Sequence, residues 1–176
     1  MKSNIFLVKR AKKGDPDAFV TLFQAYEPVL HNTARKMLRN EQDIADVMQE
    51  TALTAFQNIH QLKQDKMFNT WVYRILINNC TKYFHSPTHY ELFDNDSAVD
   101  SPTENRIIMK ELLNKLDEKY KVPIVLFYYT GFSVKEISNI LSLPEGTIKS
   151  NLSRGRALLQ KDYLHYKKGV LNFERI

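Results

Sequence analysis

The chain has 176 residues, of which 43% are hydrophobic, enough for one ordinary domain or two small ones. Its 25 Lys+Arg against 20 Asp+Glu give a net charge of +5, which favours an anionic partner such as nucleic acid or an acidic protein. The single cysteine, Cys80, excludes an internal disulfide framework and a cysteine-based zinc site.

The first 85 residues read as a chain of amphipathic helices. With five Gly and six Pro in the whole sequence and few alternating β-branched runs, an almost wholly helical fold is expected. A segment over residues 5–13 ends at Gly14, and Asp15-Pro16 reads as an N-cap followed by a first-turn proline. The next helix carries an inner face of Phe19, Leu22, Phe23 and Tyr26. A third helix is predicted from about 28 to 38.

A fourth helix, residues 42–58, has two different faces. Its apolar positions recur at helical spacing and predict a core stripe. That stripe consists of Ile44, Val47, Met48, Thr51, Ala52, Ala55, Phe56 and Ile59. A second face, polar and partly acidic around one leucine, is formed by Asp46, Gln49, Glu50 and Leu53. On residue types alone this face is either ordinary solvated surface or a docking site.

After a polar loop at 63–67, residues 70–84 predict a further helix with Trp71, Ile75 and Ile77 available for packing. Residues 86–103 then change character, with Pro87, Pro102 and three aspartates, Asp94, Asp96 and Asp100. We interpret them as an acidic interdomain linker. The predicted fold class is all-α: two small helical domains, residues 1–85 and 104–176, joined by a flexible linker.

The second domain predicts a helix-turn-helix. Helices are expected at 104–116 and 119–129, and Ser133 with Glu136 forms a capping box that starts a helix over 134–141. A turn at 142–143 is followed by Pro144, which suits the first turn of a helix running to about residue 163.

The last helix has an apolar and a basic side. Ile148, Leu152, Gly155 and Leu159 share the side that would pack on the preceding helix. The outward side consists of Lys149, Ser150, Ser153, Arg154 and Arg156. Lys and Arg reach phosphates and guanine edges, and serine permits close approach in the major groove. A solvated basic surface is the alternative, but the capping box, the turn and Gly155 favour DNA binding.

No catalytic or metal-binding constellation is found in the sequence. Cys80 has no partner at motif spacing, and His85 and His89 are separated by Pro87, which breaks the helix that would align them as ligands. There is no Gly-rich phosphate loop. We therefore expect no enzyme activity and no cofactor. The chain also lacks a run of about 20 apolar residues and a signal-peptide pattern, so we expect a cytoplasmic protein without membrane insertion.

Three motifs in order carry a family resemblance. Residues 132–141 and 145–156 resemble the region of bacterial sigma factors that reads the −35 promoter element. Residues 43–51 resemble the sigma segment that docks on the clamp helices of the polymerase β′ subunit, and residues 68–75 with Asn78 resemble the segment that reads and melts the −10 element. The resemblance runs from about residue 11 to 163 and is to the extracytoplasmic function (ECF) subgroup, which lacks the amino-terminal extension and middle domain of larger sigma factors.

This resemblance implies three sets of site residues. The core polymerase-binding set is Asp43, Asp46, Gln49, Glu50 and Leu53. The −10 DNA-binding set is Lys63, Lys66, Asn69, Asn78, Asn79 and Lys82, with the loop at 63–67 as a base pocket. The −35 DNA-binding set is Thr147, Lys149, Ser150, Ser153, Arg154 and Arg156. We assign Trp71 to the core rather than to base stacking.

Two positions depart from the family pattern. Ser138 stands where the family usually has alanine and is expected to loosen helix packing slightly. Asn151 stands where a basic residue is common, so the resemblance does not imply a phosphate contact at that position.

The resemblance also implies the partners. They are core RNA polymerase, contacted at the β′ clamp helices and the β flap, promoter DNA, and an anti-sigma factor that would hold the chain at the inner face of the membrane; no small-molecule substrate is implied. The alternative is a conventional helix-turn-helix regulator whose first domain dimerises or binds an effector. Such a regulator binds its operator without polymerase, whereas two flexibly linked readers bind promoter DNA weakly alone.

Overall fold

The computed structural model describes residues 4–84 and 104–173, and in the second range the side chains of residues 108–167. The predicted linker at 86–103 lies outside the described residues. Within the described ranges the chain forms eight α-helices and no strand. They are α1 (Ile5–Lys12), α2 (Pro16–Met37), α3 (Glu41–Asn58), α4 (Phe68–Phe84), α5 (Glu104–Lys115), α6 (Glu118–Ile124), α7 (Val134–Leu141) and α8 (Glu145–Phe173).

Helix α2 corrects one prediction. The sequence predicts two helices that meet at Pro28, whereas the structure has one helix of 22 residues with Pro28 inside it. Proline removes one backbone hydrogen bond from a helix interior. Tyr26 and Leu30 on either side of it are buried, at 1% and 0% exposure. Packing of this continuous apolar face therefore stabilises the helix across Pro28.

The start of α2 is capped as predicted. The Asp15 carboxylate accepts a hydrogen bond of 3.0 Å from the Ala18 N–H and pairs with the Arg10 guanidinium at 2.6 Å. The Ala18 N–H, and then Arg10, lower the pKa of Asp15 below its ordinary value.

Aromatic rings lie at the centre of the core of the first domain. Phe68 is fully buried and lies edge-on to Tyr26 with ring centroids 5.1 Å apart. Trp71 is partly buried and packs on the core beside Phe68 at 5.8 Å, which agrees with its assignment to the core. Phe56 was placed in the core stripe of α3, but the structure leaves it 48% exposed, with its ring resting edge-on against Phe19.

The helix-turn-helix is present as predicted. Both bonds of the capping box form: the Ser133 hydroxyl accepts from the Glu136 N–H at 3.3 Å, and the Glu136 carboxylate accepts from the Ser133 N–H at 2.9 Å. Ser138, which is expected from the sequence to loosen the packing slightly, makes a hydrogen bond within this motif. Its hydroxyl donates to the Leu143 carbonyl at 2.6 Å and ties the end of α7 to the turn. Helix α8 continues ten residues beyond the predicted end at 163.

Gly155 permits close packing of α8 on α6. A Cβ atom at this position would lie 2.6 Å from Ile124 Cδ1 and 3.2 Å from Tyr120 Cβ. Ile148 at 0% and Leu152 at 6% exposure complete the buried side of α8. Helix α8 is therefore packed closely against the rest of its domain.

We predict that Gly155→Leu lowers the free energy of unfolding by about 1–3 kcal/mol, because the added atoms overpack the α6–α8 contact. The matched control is Ala157→Leu, at an exposed position of the same helix, which should change stability by less than about 0.5 kcal/mol. Urea denaturation compares the two variants. Equal stabilities would contradict the close contact.

Candidate nucleic-acid and polymerase interfaces

Helix α8 presents the basic side that the sequence predicted. Lys149, Ser150, Ser153, Arg154 and Arg156 are all exposed, and Thr147 is half-buried. Among the described side chains of residues 4–84 and 108–167, no carboxylate pairs with the three cations of this side. A rigid helix with unpaired cations and short hydroxyls facing outward can contact phosphates and base edges in a major groove.

Helix α3 presents the predicted docking face. Its buried side, formed by Ile44, Val47, Thr51 and Ala55, packs in the core. On the opposite side Leu53 is 56% exposed. Around this leucine, Gln49 is exposed and Asp43, Asp46 and Glu50 are half-buried. An exposed leucine inside a rim of carboxylates is the arrangement expected of a surface that docks on a partner with apolar and basic groups.

Two residues outside the predicted polymerase-binding set lie beside this predicted docking face. Phe56 lies one turn beyond Leu53, and its i+3 spacing from that residue was the available signal. Tyr83 of α4 approaches the face from the side: partial desolvation, and then the nearby carboxylates of Asp46 and Glu50, raise its pKa above the ordinary value. No sequence pattern could have found Tyr83, because its proximity depends on how α4 packs on α3.

The structure removes Asn79 from the DNA-binding set. Asn79 is only 4% exposed, and its amide donates to the Thr51 hydroxyl at 3.2 Å across the α3–α4 contact. Its carbonyl oxygen accepts from the Lys82 ammonium at 3.1 Å. The residue therefore serves the packing of two helices and has no surface with which to contact a strand.

The other −10 residues fall into two groups rather than one. Nine positions separate Asn69 from Asn78, which places them on opposite sides of α4 at about 100° per residue. Asn69 belongs with the exposed Lys63 and Lys66 of the preceding segment, which forms a short 3₁₀ turn over Asp65–Met67 rather than an open loop. The Lys12 ammonium holds this segment through an ion pair of 2.8 Å with Asp65.

The second group lies along α4. Asn78 and Lys82 are exposed and share a face with Arg74, an exposed cation at i−4 that the sequence reasoning did not include. The Lys82 ammonium pairs with the Glu50 carboxylate at 2.5 Å. One ion pair thus joins the predicted DNA-binding and polymerase-binding surfaces.

The described residues offer neither a membrane span nor a metal site. None of the helices described is both long and apolar enough to cross a bilayer. No group of three or more His, Cys, Asp or Glu in the described ranges is placed to hold a metal ion.

Comparison with known proteins identifies the family. The model of sigma-70 region 2 matches residues 22–87, and the model of sigma-70 region 4 matches residues 106–159. The ECF RNA polymerase sigma factor SigW of Bacillus subtilis is 31% identical over 174 residues, which cover 88% of this chain and 93% of SigW. The chain is an ECF sigma factor of the sigma-70 family.

Further relatives agree. The ECF RNA polymerase sigma-E factor of Haemophilus influenzae is 30% identical to this sigma factor over 88% of the chain and 92% of its own length. Among solved structures, CnrH in complex with the cytosolic domain of CnrY aligns with a TM-score of 0.74 at 24% identity, covering 90% of this chain and 96% of CnrH. That likeness supports the two-domain helical fold.

The different environments of two adjacent asparagines of this sigma factor, the buried Asn79 and the exposed Asn78, predict different effects on stability. Asn79→Ala should lower the free energy of unfolding by about 1–3 kcal/mol, because it leaves the buried Thr51 hydroxyl without its partner. Asn78→Ala, on exposed surface, should change it by less than about 0.5 kcal/mol. Thermal or urea unfolding measures both. A stability loss at Asn78 but not at Asn79 would show that the two have been assigned the wrong way round.

Proposed function

We propose that this chain directs core RNA polymerase to a set of promoters, reading the −35 element with α8 and the −10 element with α4 and the segment before it, without catalytic activity of its own. The observation that carries this proposal is the presence of two surfaces of opposite charge, on different helices, in one chain of the sigma-70 family. A capped helix-turn-helix exposes unpaired cations, and a separate helix exposes an apolar residue within an acidic rim.

The first step is docking of the first domain on the polymerase. Leu53 and Phe56 supply apolar area at the centre of the α3 face, where truncation of a partner contact is most costly. Asp46 and Glu50 meet basic groups of the β′ clamp helices at its rim, which guides the orientation of docking.

In the second step the second domain lies over the β flap and inserts α8 into the major groove of the −35 element. Lys149 and Arg154 reach bases or phosphates, and the serines allow the helix backbone to approach. The cations of α8 pair with no carboxylate among the described side chains of residues 4–84 and 108–167. They can therefore bind DNA without first breaking an ion pair.

In the third step the segment at residues 63–67 captures a flipped base of the −10 element. An unstacked base is stabilised by hydrogen bonds to its edges and by nearby cations that hold the displaced strand. Lys63, Lys66 and Asn69 lie at this proposed pocket, whereas Asn78 and Lys82, on the opposite side of α4, are proposed as separate contacts with the strand or duplex. Before Lys82 binds a phosphate, its ion pair with Glu50 has to open.

We propose a role in promoter escape for the acidic linker. Asp94, Asp96 and Asp100 would lie near the RNA exit path and mimic nascent RNA until the transcript displaces them. Substitution of the three by Asn should change the ratio of abortive to full-length transcripts, and an unchanged ratio would remove this role.

The chain would act in the cytoplasm, where an anti-sigma factor could cover the α3 face.

Run-off transcription with purified core polymerase and a pool of promoter fragments tests the function. The wild-type protein should give discrete starts, and Asp46→Ala with Glu50→Ala should reduce them at least tenfold. The matched control removes two exposed carboxylates elsewhere in the first domain, Asp17→Ala with Glu27→Ala, and should leave the starts unchanged. If the protein instead gives no starts but retains fragments without polymerase, a conventional regulator is the better account.

The −35 assignment has its own test at a promoter found in this way. Lys149→Ala with Arg154→Ala should reduce the starts at least tenfold, at about 1–3 kcal/mol for each base contact. Lys161→Ala, an exposed cation further along the same helix, should have little effect. Equal losses in both variants would point to a general dependence on charge rather than to α8 reading the element.

A further inference from the structure

One ion pair joins the first helix of the chain to the segment before α4. The Lys12 ammonium, at the end of α1, lies 2.8 Å from the Asp65 carboxylate, which follows 53 residues later in the sequence. The two side chains are only 24% and 20% exposed, whereas those of the Lys82–Glu50 pair are 57% and 39% exposed. Water and salt screen a partly buried pair less than an exposed one, so this contact holds its partners more firmly.

Lys12 is itself held in place by the packing of α1. Val8 and Ala11 of this helix are buried, at 0% and 4% exposure. The helix lies against α2 and against the 3₁₀ turns at Ile59–Gln61 and Asp65–Met67. Lys12 follows Ala11 by about 100° around the helix, which places it at the edge of the buried side. Its ammonium therefore reaches the second turn from a helix that is packed on the core.

The segment that this pair holds is anchored at both ends. Leu62 before it and Phe68 after it are buried, at 5% and 0% exposure. Within the segment the Met67 N–H donates to the Gln64 carbonyl at 2.9 Å and closes the turn. The exposed residues of the segment are Lys63, Gln64 and Lys66. The Asp65 side chain, by pairing with α1, fixes the middle of the turn between these exposed residues.

The pair also determines the charge that the segment presents. Asp65 lies between Lys63 and Lys66, so its carboxylate, if unpaired, would stand beside both cations. A carboxylate repels the phosphates of DNA, and an ammonium attracts them. Among the described side chains of residues 4–84 and 108–167, neither of the two exposed lysines pairs with a carboxylate. With Asp65 neutralised by Lys12, both lysines stay available for a nucleic-acid strand.

We infer that Lys12 is a positioning residue for reading of the −10 element. Through Asp65 it fixes the turn on which the proposed base pocket depends, and it does not itself contact the DNA. Hydrogen bonds to a base edge weaken steeply when donor and acceptor move out of line, so a loosened turn discriminates less between bases. The inference rests on the proposed function for the role of the pocket. It gives α1 a part in promoter reading, although α1 lies outside the residues 22–87 that the model of sigma-70 region 2 matches.

Base preference of the holoenzyme tests this role. Run-off transcription with the full-length chain and core polymerase uses promoter variants that carry each base in turn at each −10 position. The preference is the ratio of starts with the best base to the mean of the others. Lys12→Met should lower this ratio about three- to fivefold at a −10 position, and Lys12→Arg, which keeps the ion pair, should retain it. A merely structural defect would also lower the preference at −35 positions, which should stay unchanged.

Further variants separate positioning from charge. Asp65→Ala removes the carboxylate together with the pair, so the −10 preference should fall as in Lys12→Met although the segment becomes more positive. In the Asp65→Ala background, Lys12→Met should change the ratio by less than about 1.5-fold, because the two residues act through one contact. The matched control is Lys13→Met, which removes the exposed cation next in sequence and should leave the preference unchanged.

Hydrogen exchange in the free, full-length protein follows the turn without polymerase or DNA. The Met67 N–H, which closes the turn, should exchange about two- to fivefold faster in Lys12→Met and at the wild-type rate in Lys13→Met. An unchanged Met67 rate or an unchanged −10 preference in Lys12→Met would overturn the inference, as would an equal loss of preference in Lys13→Met. If the wild-type protein gives no starts, the proposed function is rejected instead, and the exchange rates still decide whether Lys12 holds the turn.

Discussion

Burial of one face of each helix is the constraint on which the rest of this protein depends. Each domain is too small to bury a helix on all sides, so packing uses the apolar face and leaves the opposite face to solvent or to a partner. On α3 the face opposite Ile44 and Thr51 carries Leu53, and on α8 the face opposite Ile148 and Gly155 carries the basic residues. The same burial that stabilises the fold therefore leaves both proposed binding surfaces exposed.

Helix ends matter as much as helix faces. The terminal carbonyls of a helix need donors, and at α2, α5 and α7 these donors are cations of the other domain. The net positive charge predicts an anionic partner, but these three cations, Lys121, Arg39 and Arg74, bind backbone carbonyls within the molecule instead. Of these cations Lys121 is buried, at 5% exposure, and burial lowers its pKa to about 8.

The two proposed binding surfaces of the first domain are not independent. Lys82 on the proposed DNA-binding surface pairs with Glu50 on the proposed polymerase-binding surface, and Asn79 beneath them joins α4 to Thr51 of α3. On the proposed function, a partner that engages Glu50 would release Lys82. This exposed ion pair contributes little to stability, but it lies where the two proposed surfaces meet.

The sequence by itself determined the helical class, the capped helix-turn-helix, the basic side of α8 and the acidic face of α3, because these follow from local spacing and capping chemistry. Only the tertiary structure decided the continuity of α2 through Pro28, the exposure of Phe56, the burial of Asn79 and the placement of Tyr83. Each of these depends on which neighbouring helix covers a side chain, and helical periodicity gives the direction of a residue but not its neighbour. The interdomain contacts of Lys121, Arg39 and Arg74 could not be predicted for the same reason, since their partners are backbone carbonyls 65 or more residues away in the sequence.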